Sequence, residues 1–267
     1  MKIMFFGDIV GRSGRDGLAK HLPDLKKRFA PDVIIANAEN IASGHGITMK
    51  LAQEIFELGV ACITSGNHIW GQRELLTSIG NEPRILRPQN YPEGTPGKGA
   101  YTHNLADGRK LLIVNLMARV FMEPVLDDPF AAMEKIVSVN KIGGNTPILV
   151  DFHGETTSEK GAFAHAFDGR VSAVLGTHTH APAADERILP RGTAYMSDVG
   201  MCGDYDSVIG MKKETAIWRF TRKTPIDRLA PAEGEATVCG ALVTLDDKTG
   251  LAVSIAAIRI GGLLKPT

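Results

Sequence analysis

Cysteine is scarce in this chain. Cys62, Cys202 and Cys239 are the three among 267 residues, and no two share a C-x-x-C spacing. That excludes a disulfide framework and a thiolate zinc site, and it fits a reducing compartment. Long apolar runs are missing too. The N-terminal MKIMFFGDIVG sets one Lys and five apolar residues before Asp8, too short a core for a signal peptide. No later segment reaches the roughly 18 apolar residues of a spanning helix. These absences predict a cytoplasmic protein with no membrane partner. Net charge is absent as well, with 30 Lys and Arg against 30 Asp and Glu. A neutral chain has no bulk attraction for duplex nucleic acid, but a small anion in a cleft is compatible with it.

Common catalytic signatures are also missing. There is no G-x-S-x-G elbow, no H-E-x-x-H and no Walker A lysine motif. Gly7, Gly11 and Gly14 miss the dinucleotide fingerprint by one residue, which argues against an oxidoreductase. No internal repeat or low-complexity tract interrupts the chain. What remains is globular composition, 43% hydrophobic and 22% charged.

The first half alternates apolar runs with helix-period segments. Lys2–Phe6, Val33–Ala36 and Val60–Thr64 read as strands. Asp16–Phe29 reads as a helix with Pro23 a break or second start, and Thr48–Leu58 as a helix capped by Thr48. Successive strand–loop–helix units imply a parallel sheet with right-handed crossovers. Asn81–Gly99 holds four prolines and three glycines and reads as an irregular excursion. Strand-like runs resume at Leu111–Leu116, Ile148–Phe152, Val171–Leu175 and Thr193–Met196. Thr237–Leu245 and Leu251–Ile260 read as a C-terminal hairpin. The expectation is one α/β domain over residues 1–267 with two sheets and an excursion around 81–110.

The polar residues gather where strands end, which is where ligands bind in open α/β sheets. Asp8 follows the first run, Glu39 and Asn40 the second, and Asn67 and His68 the third. His153 follows Phe152, and His178 and His180 follow Leu175. Any single one of these has an ordinary reading as a turn or cap residue. Five strand ends in succession are harder to dismiss. Imidazole with carboxylate suits first-row transition metals. The set exceeds what one tetrahedral zinc needs, and it matches a pair of ions roughly 3.5–4 Å apart. In an extended segment His178 and His180, at i and i+2, point to one side.

Gly7-Asp8, Gly66-Asn67-His68, His153 and Gly176-Thr177-His178-Thr179-His180 resemble, in order, the motif series of the calcineurin-like metallophosphoesterases. G-D-I-V-G at the start, Glu39-Asn40, and Ser43-Gly44-His45-Gly46-Ile47-Thr48 resemble one branch, the YmdB-like phosphodiesterases. Two departures from the broader superfamily stand out. Asp8-Ile9-Val10 lacks the histidine of the usual D-x-H, and Glu39 stands where the bridging Asp is expected.

The resemblance implies an α/β/β/α sandwich, two mixed sheets flanked by helices, and two divalent ions, iron or manganese with zinc also fitting. It gives Asp8, Glu39, Asn40 and His180 to one metal, and Glu39, Asn67, His153 and His178 to the other. His68 is then an unligated general acid beside a metal-bridging hydroxide. The implied activity is hydrolysis of small phosphodiesters, with cyclic nucleotides foremost. Alternatives are a phosphomonoesterase or phosphoprotein phosphatase, and a metal- and nucleotide-binding regulator. Assembly into a homo-oligomer is left open.

Among the remaining residues, His45 reads equally as a phosphate contact or a solvent-exposed loop tip. Glu155 reads as a support to the site and Asp198 as another strand-end acid. Arg12 and Arg15 read as helix-start surface charges, and Trp70 and Tyr205 as packing residues. His21, His103 and His165 lie outside the set.

Overall fold

The computed structural model describes residues 1–140, 146–222, 224 and 228–267. The chain begins with β1 (Lys2–Phe6), β2 (Asp8–Ile9), α1 (Gly11–Phe29), β3 (Val33–Asn37), α2 (Met49–Glu57), β4 (Cys62–Thr64) and the single turn α3 (Leu75–Ser78). Next come β5 (Ala100–Asn104), β6 (Lys110–Met117), α4 (Pro129–Val139), β7 (Ile148–His153), α5 (Thr157–Ala166) and β8 (Ala173–Thr177). The last elements are β9 (Arg187–Ile188), β10 (Ala194–Met196), β11 (Met201–Asp204), α6 (Lys213–Thr221), β12 (Ala236–Leu245) and β13 (Ala252–Ile260).

Two sheets form. One runs β2-β11-β12-β1-β3-β4 with β13 on β12, and the other runs β5-β6-β7-β8-β10-β9. Both are mixed. β1, β3 and β4 pair in parallel while β12 meets β1 antiparallel; β6, β7, β8 and β10 are parallel between antiparallel edges.

Strand alternation sorts the side chains into three layers. Met4 and Phe6 pack with Leu18, Leu22 and Leu25 of α1 and Ile55 of α2. Ile3 and Phe5 pack between the sheets with Ile113 of β6 and Leu149 of β7. Val114 and Val150 pack on the far side with Met133 of α4 and Phe163 of α5. The result is the α/β/β/α sandwich.

Local reading and tertiary packing part company in several places. α1 runs unbroken through Pro23, which faces solvent. An interior proline costs about 3 kcal/mol, and burying three leucines at about 1.5–3 kcal/mol each outweighs it. The excursion around 81–110 is shorter than expected, because Ala100–Asn104 forms β5. As a half-exposed edge strand, its AYTHN sequence carries little apolar signal. The strands β2, β9 and β11 fall outside the strand-like runs of the sequence, the remaining strands lie within a few residues of theirs, and Thr48 caps α2 by accepting from Leu51 N at 3.3 Å.

Candidate metal centre

The inward face of several strands changes from apolar to polar at its carboxyl end. In β3, Val33 and Ile35 face the inter-sheet core and Asn37 continues the same parity. In β7, Leu149 leads to Asp151 and His153; in β8, Ala173 and Leu175 lead to Thr177. In β6, Leu111 and Ile113 lead to Asn115. These polar ends join the two sheets. Asn37 donates to Asp151 Oδ2 at 3.0 Å, and Asn115 donates to Ser65 O at 2.8 Å while accepting from Ser65 N at 3.0 Å.

All eight expected residues converge on this edge. Glu39, His153 and His178 bring ligand atoms within 4.8 Å of one another. His153 Nε2 lies 3.1 Å from His178 Nδ1, 3.0 Å from Asn67 Oδ1 and 3.3 Å from Glu39 Oε1. On the other side, His180 Nε2 lies 3.7 Å from Asp8 Oδ1 and 3.2 Å from the Asn40 amide nitrogen. Gly66 makes room for the His153 ring, since a Cβ there would collide with it.

Each of three imidazoles is held by one nitrogen and leaves the other for the site. His153 Nδ1 bonds Thr177 Oγ1 at 2.9 Å, and that hydroxyl donates to Asp151 Oδ1 at 2.7 Å. His178 Nε2 meets Glu155 Oε2 at 3.2 Å, and His180 Nδ1 donates to Ile209 O at 2.8 Å. Such partners fix the tautomer and the ring orientation. Glu155 thus has the supporting place expected of it. The supporting roles of Asn37, Asp151 and Thr177 have one signal in the sequence, their parity with the inward apolar residues.

The segment His178-Thr179-His180 is not extended. β8 ends at Thr177, and His178 and His180 have φ of 104° and 65°. Both rings still reach the site, but through left-handed backbone rather than strand periodicity. Non-glycine residues there are strained and need external support. Lys160 supplies some of it, buried at the base of the loop, donating to Thr177 O at 2.9 Å and Asp198 Oδ2 at 3.0 Å. Asp198 also accepts from Thr179 N and Gly200 N, at 3.0 and 2.9 Å. Tyr205 donates to His180 O at 2.9 Å and so ties this loop down.

The electrostatics fit a cation. Burial alone raises the carboxyl of Glu39, but the charges and hydrogen bonds of His153 and His68 outweigh it and hold Glu39 well below the carboxylate range. Asp8 is likewise lowered, with His180 overcoming burial. Burial and then His153 push His178 down to about 3, which favours the neutral imidazole that a metal binds. His180 is pushed up to about 9, because Asp8 and the Ile209 carbonyl overcome its burial. Asp8 Oδ1 is buried without a hydrogen-bond partner. An orphaned carboxylate oxygen beside convergent imidazole nitrogens is a donor set suited to divalent transition metals.

One residue departs from the expected arrangement. Asn40 turns its nitrogen to His180 Nε2 and its oxygen to His68 Nδ1, the latter at 2.7 Å. An amide ligates through oxygen, so ligation by Asn40 requires this amide to turn over.

A family model described as "YmdB-like protein" matches residues 4–258. The chain belongs to the YmdB-like family. This YmdB-like chain is 46% identical over 261 residues to a Bacillus subtilis (strain 168) protein named 2',3'-cyclic-nucleotide 2'-phosphodiesterase, with 97% of each covered. A solved Mycoplasma pneumoniae structure, described as a novel phosphatase, matches at TM-score 0.91 and 35% identity, covering 98% of this chain and 93% of that one. A hypothetical protein from Thermus thermophilus matches at TM-score 0.90 and 40% identity, covering 98% of this chain and all of that one, 100%. Among the described residues, no helix is long and apolar enough to cross a membrane.

Proposed function

We propose that this YmdB-like protein is a metal-dependent phosphodiesterase that hydrolyses small cyclic nucleotides of the 2',3' class. The observation that carries the reading is the convergence of Glu39, His153 and His178 ligand atoms within 4.8 Å of one another, with Asn67 against His153 and, beside them, Asp8 and Asn40 against His180. We assign these seven residues to two divalent ions, iron or manganese as the family resemblance implies and zinc as the imidazoles also allow, within one catalytic domain. When bound, such ions would lower the pKa of a coordinated water and neutralise phosphate charge.

The chain's own residues do the rest. His68 is the general acid. Its backbone N donates to Glu39 Oε2 at 3.1 Å, so the same loop orients acid and carboxylate. Nδ1 is engaged by Asn40, the side chain is about one-third exposed at 32%, and Nε2 has no hydrogen-bond partner among the described residues. In the doubly protonated ring Nδ1–H donates to Asn40 Oδ1, with Glu39 Oε1 3.3 Å away, and that proton stays while the Nε2 proton passes to the departing ribose oxygen, a poor leaving group without protonation, leaving neutral imidazole. Asp151, through Thr177, keeps His153 oriented, and Glu155 does the same for His178.

A panel of 2',3'-cyclic nucleotides, a chromogenic diester and a chromogenic monoester tests the reading. The expected result is turnover of the cyclic nucleotides that disappears with chelation and returns with iron or manganese. The description of the Mycoplasma pneumoniae structure favours a second reading, phosphatase activity. A strong preference for the monoester would establish that instead, and metal-loaded protein that binds but never hydrolyses nucleotide would remove the enzyme reading.

A further inference from the structure

His45 has no ring hydrogen bond among the described residues, yet its ring is placed with care. Its centroid lies 4.4 Å from that of His68, with the planes tilted by 55°. The loop beneath it is tightly wound: Ser43, Gly44 and Gly46 have φ of 54°, 83° and 87°. That winding presses His45 onto the chain after His68, where a Cβ on Gly71 would sit 2.5 Å from His45 Cδ2. The backbone is pinned on both sides, His45 N donating to Ala42 O at 3.1 Å and Gln72 Nε2 to His45 O at 2.8 Å.

His68 needs such a neighbour. Its ring is anchored by Nδ1 alone, at 2.7 Å from Asn40 and 3.3 Å from Glu39. A ring held at one atom still pivots, and pivoting carries Nε2 away from a leaving group. We infer that His45 is a positioning residue whose ring face fixes His68 with Nε2 directed into the cleft. The inference rests on the general-acid reading of His68. In the step concerned, water gives up a proton and its oxygen forms the new P–O bond, one ribose P–O bond breaks, the departing oxygen takes the Nε2 proton of doubly protonated His68, and the proton lost by water restores that ring through solvent. His45 itself exchanges no proton.

Leaving-group dependence tests this on metal-loaded enzyme of verified metal content. A 2',3'-cyclic nucleotide expels a ribose oxygen that needs the proton, whereas bis(p-nitrophenyl) phosphate expels a stable phenolate that does not. For His45→Ala we expect kcat on the cyclic nucleotide to fall about tenfold, with KM and the kcat for the nitrophenyl diester within about twofold. His45→Phe, which keeps a ring face without nitrogens, should restore most of the loss. Equal losses on both substrates, or a raised KM at unchanged kcat as for a phosphate contact, would overturn the inference. His68→Ala separates the two levels. If it shows no leaving-group dependence, the general-acid reading fails and takes the inference with it. If His68→Ala shows the dependence and His45→Ala does not, only the positioning role fails.

Discussion

At His68 and Asp151 the residue scale is plainest, because each acts through a few identifiable atoms. Removing the His68 imidazole takes away no assigned ligand. His68→Ala should therefore keep its metals by elemental analysis while kcat on a cyclic nucleotide drops about 10²–10⁴-fold. Loss of metal instead would make His68 a ligand. Asp151 is fully buried, and burial pushes its carboxyl up to about 6. It accepts from Thr177 and Asn37, and through Thr177 it orients His153. Asp151→Asn should weaken metal binding about 10–100-fold in chelator competition, as loss of an outer hydrogen-bond partner typically does. An unchanged affinity would mean that Thr177 alone fixes the ring.

At the scale of elements, the histidine pair depends on helix α5 as much as on β8. The left-handed turn at His178 and His180 is supported from beneath by Lys160 of α5, which is 1% exposed and paired with Asp198. Truncating one partner leaves the other charge buried and unpaired. Lys160→Met should cost about 3–5 kcal/mol, read as a lower Tm or denaturant midpoint, and Lys160→Met with Asp198→Asn should recover part of it. A double variant no better than the single would show that the ion pair is not the relevant unit. The sequence marked His178-Thr179-His180 but not Lys160. A lysine in a helix normally reads as surface, and only the docking of α5 buries it. The extended geometry expected for this segment was also wrong, because the supporting bonds come from residues remote in sequence.

For the whole molecule, the quantity that matters is the set of protons held by the metal-free site. His180 binds its proton more tightly folded, at about 9, than at its ordinary 6.5. Its contribution to the stability of metal-free protein is therefore complete below about 6.5 and fades as pH rises through about 9. His153 is raised too and acts in the same direction. Metal binds neutral imidazole, so loading at pH 7–8 should release protons, visible with an indicator dye in weak buffer. Affinity should then rise up to about pH 9, by about tenfold per unit for each proton displaced. A pH-independent affinity over that range would show His180 already neutral. Tm of chelated protein should fall between pH 6.5 and 9, whereas metal-loaded protein should be nearly flat.

The early strand–helix alternation, the two sheets and the eight strand-end residues were legible in the chain before it folds, from local periodicity and from polar residues placed just past apolar runs. The α/β/β/α sandwich came with the family resemblance. Packing settled what closes the site: the inter-sheet bonds of Asn37 and Asn115, the Asp151–Thr177–His153 chain, the buried Lys160–Asp198 pair and the ring of His45 against His68. Each of these joins segments that lie 23 to 114 positions apart. Whether such groups meet is set by strand order and sheet packing, which no local pattern encodes.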